Sequence, residues 1–152
     1  MGRRIATFSA AALATILGCG VPGCGRGDYP EMARVSGVVT YKGKPVRNMM
    51  VNFMPDAGRP SWGKTDAEGR YEMIYDEDYK GAKMGPHKVY FTPPATTVDG
   101  GASKASRAAT AKALNLSPEE LQDLRSRYGN EEHTQLRVVV QKDPEVLDLK
   151  LE

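Results

Sequence analysis

What this sequence has little of narrows it before any motif is read. Its two cysteines, Cys19 and Cys24, both lie near the front, so the rest of the chain can hold no internal disulfide. Its two histidines, His87 and His133, sit on separate segments, and neither has a second ligand at metal spacing. The one uncharged run near the front, residues 5–17, is short of the roughly 20 apolar residues that a membrane-spanning helix needs. An excess of one charge sign is missing too. The 21 basic residues against 19 acidic fall to 19 against 19 once Arg3 and Arg4 leave with residues 1–18. A neutral domain without a basic stripe argues against a nucleic-acid partner, whose affinity comes largely from phosphate neutralisation. No Gly-x-Ser-x-Gly occurs, and a Ser-His-Asp triad, which assembles in space, is left open by the sequence.

What is present begins with an address. Arg3 and Arg4, the run over 5–17 and the small residue Gly18 form the three parts of a secretory signal. An N-terminal strand is the competing account, but Ala10-Ala11-Ala12 lacks the β-branched character of a strand. The stretch Ile16-Leu17-Gly18-Cys19 resembles the lipobox of bacterial lipoproteins. That resemblance implies that residues 1–18 are a signal peptide and that Cys19 becomes the acylated, palmitate-bearing N-terminus. It places the protein in the bacterial cell envelope, facing periplasm or exterior, with the lipid bilayer as its first partner. Each buried methylene of an acyl chain contributes about 0.8 kcal/mol, so several chains on one residue hold durably. Gly20 stands where some lipoproteins carry the aspartate that retains them in the inner membrane, which points to the outer membrane. Pro22-Gly23-Cys24 is a poorer match because of its proline; Cys24 then stays free or pairs between molecules.

Residues 19–32 are rich in glycine and proline and lack periodicity, the composition of a flexible tether. Arg26-Gly27-Asp28 matches the integrin tripeptide, and three residues on a tether are too short a match to carry a function.

From Ala33 the chain alternates. Val35, Gly37, Val39 and Tyr41 share one face, as do Met49, Val51 and Phe53 over residues 46–54. Tyr71, Met73 and Tyr75 form a third set, and Val89 and Phe91 a fourth. Leu136, Val138 and Val140, then Leu147, Leu149 and Leu151, close the series. Lys42-Gly43-Lys44-Pro45 and Asp66-Ala67-Glu68-Gly69 punctuate it as turns, with proline expected to stop pairing. These six sets and a short strand just before the Asp66–Gly69 turn make seven segments, which predict an all-β, antiparallel, Ig-like sandwich over residues 33–152. Its expected core is Met49, Val51, Phe53, Val89, Phe91, Leu136, Val138 and Leu149.

The succession VSGVVTYKGKPVRNMMVNFMPD, GKTDAEGRYEM and GPHKVYFTP resembles the carboxypeptidase regulatory-like (transthyretin-like) sandwich domain, over residues 33–93 and more loosely 134–152. It is especially similar to small bacterial lipoproteins carrying one such domain. The resemblance implies a non-catalytic interaction or structural module, with an envelope protein or a glycan as its partner. Hydrolases of 5-hydroxyisourate share the architecture but end in Tyr-Arg-Gly-Ser, whereas this chain ends Leu149-Lys150-Leu151-Glu152. Related iron dioxygenases need two closely spaced histidines and two tyrosines, and the histidines here are not so placed. No catalytic residue, cofactor or metal ligand is therefore expected. Asp66-Ala67-Glu68-Gly69 is better explained as a hairpin turn than as part of a calcium loop. Met49, Met50, Met54 and Met73 are better explained by packing than by a soft metal.

The chain departs from that pattern over residues 93–134, an insertion before the last two strands. Ser117-Pro118-Glu119-Glu120 reads as a capping box with proline at the first helical position. Leu121, Leu124 and Tyr128 follow at helical spacing, ended by Gly129-Asn130, and the stripe is expected to dock on its own domain. The alanine-rich segment upstream is either a second helix or mobile. A sandwich does not need so long a connection to turn a corner, so replacing residues 97–130 by a Gly-Ser linker is expected to leave it folded. If the chain binds a small ligand or glycan instead, this insertion is the expected lid. Exposed aromatics gathered on one sheet would favour that alternative, with Trp62, Tyr79 and Tyr90 as candidates.

The lipobox resemblance generates the first prediction. Intact mass of the membrane-extracted protein is expected to lack residues 1–18 and to carry an acyl increment on Cys19, and Cys19→Ala is expected to abolish both. A soluble, unacylated wild-type protein refutes it.

Overall fold

The computed structural model describes residues 30–94 and 103–152. The signal segment, Cys19, Cys24 and Arg26-Gly27-Asp28 lie outside the described residues. The elements are β1 (Met32–Ala33), β2 (Val35–Tyr41), β3 (Lys44–Pro45), β4 (Met50–Pro55), β5 (Ser61–Lys64), β6 (Arg70–Glu72), β7 (Ala82–Lys83), β8 (Gly85–Thr92), α1 (Lys104–Ala113), α2 (Pro118–Tyr128), β9 (Arg137–Val140), β10 (Glu145–Val146) and β11 (Leu149–Leu151). The protein is mostly β-sheet with two helices, and its sheets do not close into a barrel.

One sheet is built around β2, with β10 and β11 along one edge and β3 and β6 along the other. The second runs β5-β4-β8-β9, and β1 pairs with β7 as a short ribbon. The alternation read from sequence sets the inner faces: Val35, Val39 and Tyr41 from β2, Val51 and Phe53 from β4, and Val89 and Phe91 from β8 are all buried. Phe53 and Tyr71, from opposite sheets, meet with ring centroids 6.2 Å apart. Met49, Met73 and Leu149 join this core, whereas Leu136 and Val138 are only partly buried against it.

Three expectations need correction. The pairing is not all antiparallel, because β10 and β11 lie parallel to β2, with Val35 opposite Glu145 and Val39 opposite Leu149. The chain leaves the second sheet at β9 and crosses back at the other end, where the Asp143 carboxylate accepts from Arg34 N and Nε at 2.8 and 3.1 Å. Between β10 and β11 it passes directly over Gly37, where a Cβ would lie 2.1 Å from the Leu147 carbonyl oxygen. Second, Pro45 does not stop pairing. Lys42 and Gly43, both at positive φ, make a tight hairpin, and Lys44 and Pro45 fold back on Tyr41 and Thr40. The break comes at Asn48 (φ 52°), a residue type that tolerates the left-handed region.

The third correction concerns the insertion. Both helical segments are ordered, α1 capped by Ser103 and α2 by the reciprocal Ser117–Glu120 box. They close the end of the sandwich where β2 and β8 finish. Ala111, Leu114, Leu116, Leu121 and Leu124 belong to the same buried cluster as the strands. Arg47 N donates to Leu114 O at 3.2 Å, Asn115 Nδ2 donates to Pro45 O at 3.2 Å, and Tyr128 meets Phe91 edge-on at 6.4 Å. Tyr41 OH donates to Asp123 at 2.5 Å. Burial, and then that contact, push the phenol up to about 12. The stripe docks on its own domain as expected, and its leucines are part of the buried core that the linker replacement was expected to leave intact.

Replacing residues 97–130 by a Gly-Ser linker is therefore expected to abolish the cooperative melt, because it uncovers the inner face of both sheets. Leu124→Ala, which leaves the chain length intact, is expected to cost about 2–5 kcal/mol in urea unfolding. A shortened chain that melts like the wild type refutes this account of the core.

Candidate functional site

The outer face of the second sheet gathers what the sequence scatters. Positions that alternate with the core of β5, β4 and β8 point outward, and the register sets Trp62 opposite Asn52 and Asn52 opposite Tyr90. Trp62 is 42% exposed. Asn52 Nδ2 donates to Thr92 Oγ1 at 3.2 Å, which holds the amide between the two rings. Met50 and Met54 flank this row on β4, with Lys64, Lys88 and Arg137 around them on the neighbouring strands. Of the three candidate aromatics, the fold sets Trp62 and Tyr90 in one row, on either side of Asn52. Tyr79 is exposed in a separate loop.

The row continues past the edge of β5. Ile74 exchanges backbone hydrogen bonds with Trp62 (2.9 and 2.7 Å) and is bridged in turn to Lys80. The strand that pairs Tyr71 with Gly37 in the first sheet thus reaches the second sheet three residues later. The crossing needs a glycine in β5, since a Cβ at Gly63 would lie 2.5 Å from the Glu72 carbonyl oxygen. Lys80, Ile74, Trp62, Asn52 and Tyr90 consequently stand side by side across five paired segments.

A groove of about 700 Å³ opens over the Trp62 end of this row, between Arg59 and residues 76–78. The Arg59 guanidinium stacks on Tyr75 at 5.3 Å. Asp76 Oδ1 accepts from the backbone N–H groups of Asp78 (3.0 Å) and Tyr79 (2.8 Å), fixing the turn. Lys80 pairs with Glu72 at 3.0 Å. The Glu77 and Asp78 carboxylates form no ion pair among the described residues. A second depression of about 320 Å³ shares Asp78 and Lys80 and extends towards Tyr79 and Arg34.

Sequence reasoning missed this juxtaposition because parity gives a side chain's face and not its neighbour. The residues at which chemistry was tested lie elsewhere. Asp66 accepts from Glu68 N, Arg70 N and Arg70 Nε, so the Asp66–Gly69 turn is held by Arg70. Among the described residues, no group of three or more His, Cys, Asp or Glu side chains could hold a metal ion.

No protein-family model matches the chain, and no curated protein matches it. Among solved structures it is similar to a DUF3823 family protein from Parabacteroides merdae, at 11% identity with a TM-score of 0.41. The similarity covers 80% of this chain and 46% of that one, so the chain spans about half its length.

His87, on the inner face of β8, is 1% exposed and packs against Phe53 at 5.7 Å. Its Nδ1 lies 3.0 Å from Gly85 O, which can only accept, so Nδ1 carries the proton. Among the described residues Nε2 has no partner, and neither does the buried Ser61 Oγ on the same inner face. Burial lowers the His87 pKa, outweighing the Gly85 contact. The folded state thus resists a proton that the unfolded chain accepts near its ordinary value of about 6.5. The stability this contributes is fully present above that value and is lost as pH falls below it. Urea midpoints are expected to drop as pH falls below about 6.5, and His87→Leu to flatten that slope. Parallel profiles for the two proteins across this window refute the assignment.

Proposed function

We propose that this chain is a bacterial cell-envelope lipoprotein, held to the bilayer by acylated Cys19, whose β-domain is a non-catalytic interaction module. We further propose that the domain is a carboxypeptidase regulatory-like (transthyretin-like) sandwich. The inserted helices support one end of it, and the outer face of β5-β4-β8 is its contact surface. The observation that carries this reading is the row Trp62–Asn52–Tyr90, an exposed indole and a half-buried phenol at outward positions with a fixed amide between them. Tryptophan and tyrosine on a rigid element are the residues that dominate contact surfaces. The histidine within this sheet, His87, is buried on its opposite face, which supports a role without acid–base chemistry.

The alternative, a lipoprotein binding a small ligand or glycan beneath the insertion as a lid, keeps its ligand and changes its place. A lid needs an apolar face free to open, and Leu114, Leu121 and Leu124 are committed to the core. The ligand-binding version is better served by the Trp62 groove.

The test is in-cell crosslinking of the full-length protein. Trp62→Ala/Tyr90→Ala is expected to lose the crosslinked products while retaining membrane fractionation and the wild-type melt. An unchanged set of products sinks the proposed surface.

A further inference from the structure

Resting on that sheet face as the contact surface, we infer that it binds a neutral oligosaccharide chain. The chain lies along the row Lys80–Ile74–Trp62–Asn52–Tyr90, with one sugar ring stacked on Trp62. Five positions across paired segments at about 4.8 Å each span roughly 19 Å, long enough for several linked rings and too long for one metabolite. The groove over Trp62, at about 700 Å³, falls within the range of small-ligand sites.

The chemistry lining the row selects among ligand classes. Arg59 and Lys80 line the groove together with Asp76, Glu77 and Asp78. A polyanion would meet the carboxylates and a polycation the guanidinium and ammonium groups, at a cost of several kcal/mol for like charges brought together. A hydroxyl both donates and accepts, so a polyhydroxylated neutral ligand is matched by groups of both signs. The flat apolar face of a sugar ring complements the indole, and its equatorial hydroxyls reach the flanking charges.

A peptide adding as an extra strand is disfavoured by the backbone itself. The edge of β5 at Trp62 is already taken by Ile74 through two hydrogen bonds of 2.9 and 2.7 Å. The groove therefore offers side chains and no open ladder. Those side chains are fixed beforehand: Arg59 on Tyr75, Asp76 within its turn, Asn52 on Thr92. Fixing them in advance lowers the ordering cost that weak polar ligands are least able to offset.

Trp62 is the sole tryptophan of the chain, so its emission reports on the site directly. The full-length protein, in a detergent without a sugar headgroup, is titrated with hexasaccharides of α-1,4-linked glucose, β-1,4-linked glucose and β-1,4-linked N-acetylglucosamine. At least one is expected to shift the emission saturably, with an affinity that does not change between low and high salt. By calorimetry, Trp62→Ala is expected to weaken binding at least tenfold. Trp62→Phe is expected to restore part of it, and Glu77→Gln/Asp78→Asn to weaken it several-fold. No response to any of the three sugars, a strongly salt-dependent affinity, or full binding by Trp62→Ala overturns the inference. If the sugars fail while Trp62→Ala/Tyr90→Ala still loses its crosslinked products, the contact surface stands and only the ligand class falls. If neither measurement responds to the variants, both fall.

Discussion

Two sheets stacked face to face leave their shared interior open wherever the strands stop, and that opening is the constraint around which this protein is organised. At the end where β2 and β8 finish, strand side chains alone cannot exclude water from Tyr41, Phe91 and Val51. Leu114, Leu121 and Leu124 do so, held there by the backbone hydrogen bond from Arg47 to Leu114 and by the Tyr41–Asp123 contact. The helices are covers built from the same hydrophobic cluster as the strands. Closing that end with helices lets the second sheet present its outer face to solvent without compromising the interior.

The opposite end is arranged by backbone proximity more than by burial. The Gly37 crossing and the Arg34–Asp143 contact bring the C-terminal strands alongside β2. Gly63 lets the strand that begins at Arg70 step from one sheet to the other. That step matters for the surface, because it extends the outward-facing row beyond the true edge of β5 and occupies an edge that would otherwise recruit another strand. The groove beside Trp62 is thus a by-product of how the two sheets are joined.

Much of this was legible in the residues. Period-2 alternation identified the inner faces of β2, β4 and β8 correctly, and Ser117, Pro118 and Glu120 marked the start of α2 because capping chemistry is local. Parallel pairing of β10 and β11 was not legible, since a strand's alternation is the same whichever way its neighbour runs. The break at Asn48 had a signal, the left-handed tolerance of asparagine, hidden inside an otherwise continuous apolar alternation. The depth of Leu114 in the core was hidden by the alanines around it. The alignment of Trp62 and Tyr90 in one cross-strand row could not be read, because it depends on register between strands far apart in the chain. Trp62 and Tyr90 have outward parity in their own segments, and only the intervening Asn52 sets them in one row.

The parallel disposition of β2 and β11 has a mechanical consequence. A load applied through the residues before Val35 and after Leu151 pulls the two strands lengthwise in opposite directions. Their interstrand hydrogen bonds lie across the line of force and are strained together, where a hairpin pulled at its open end would yield one bond at a time.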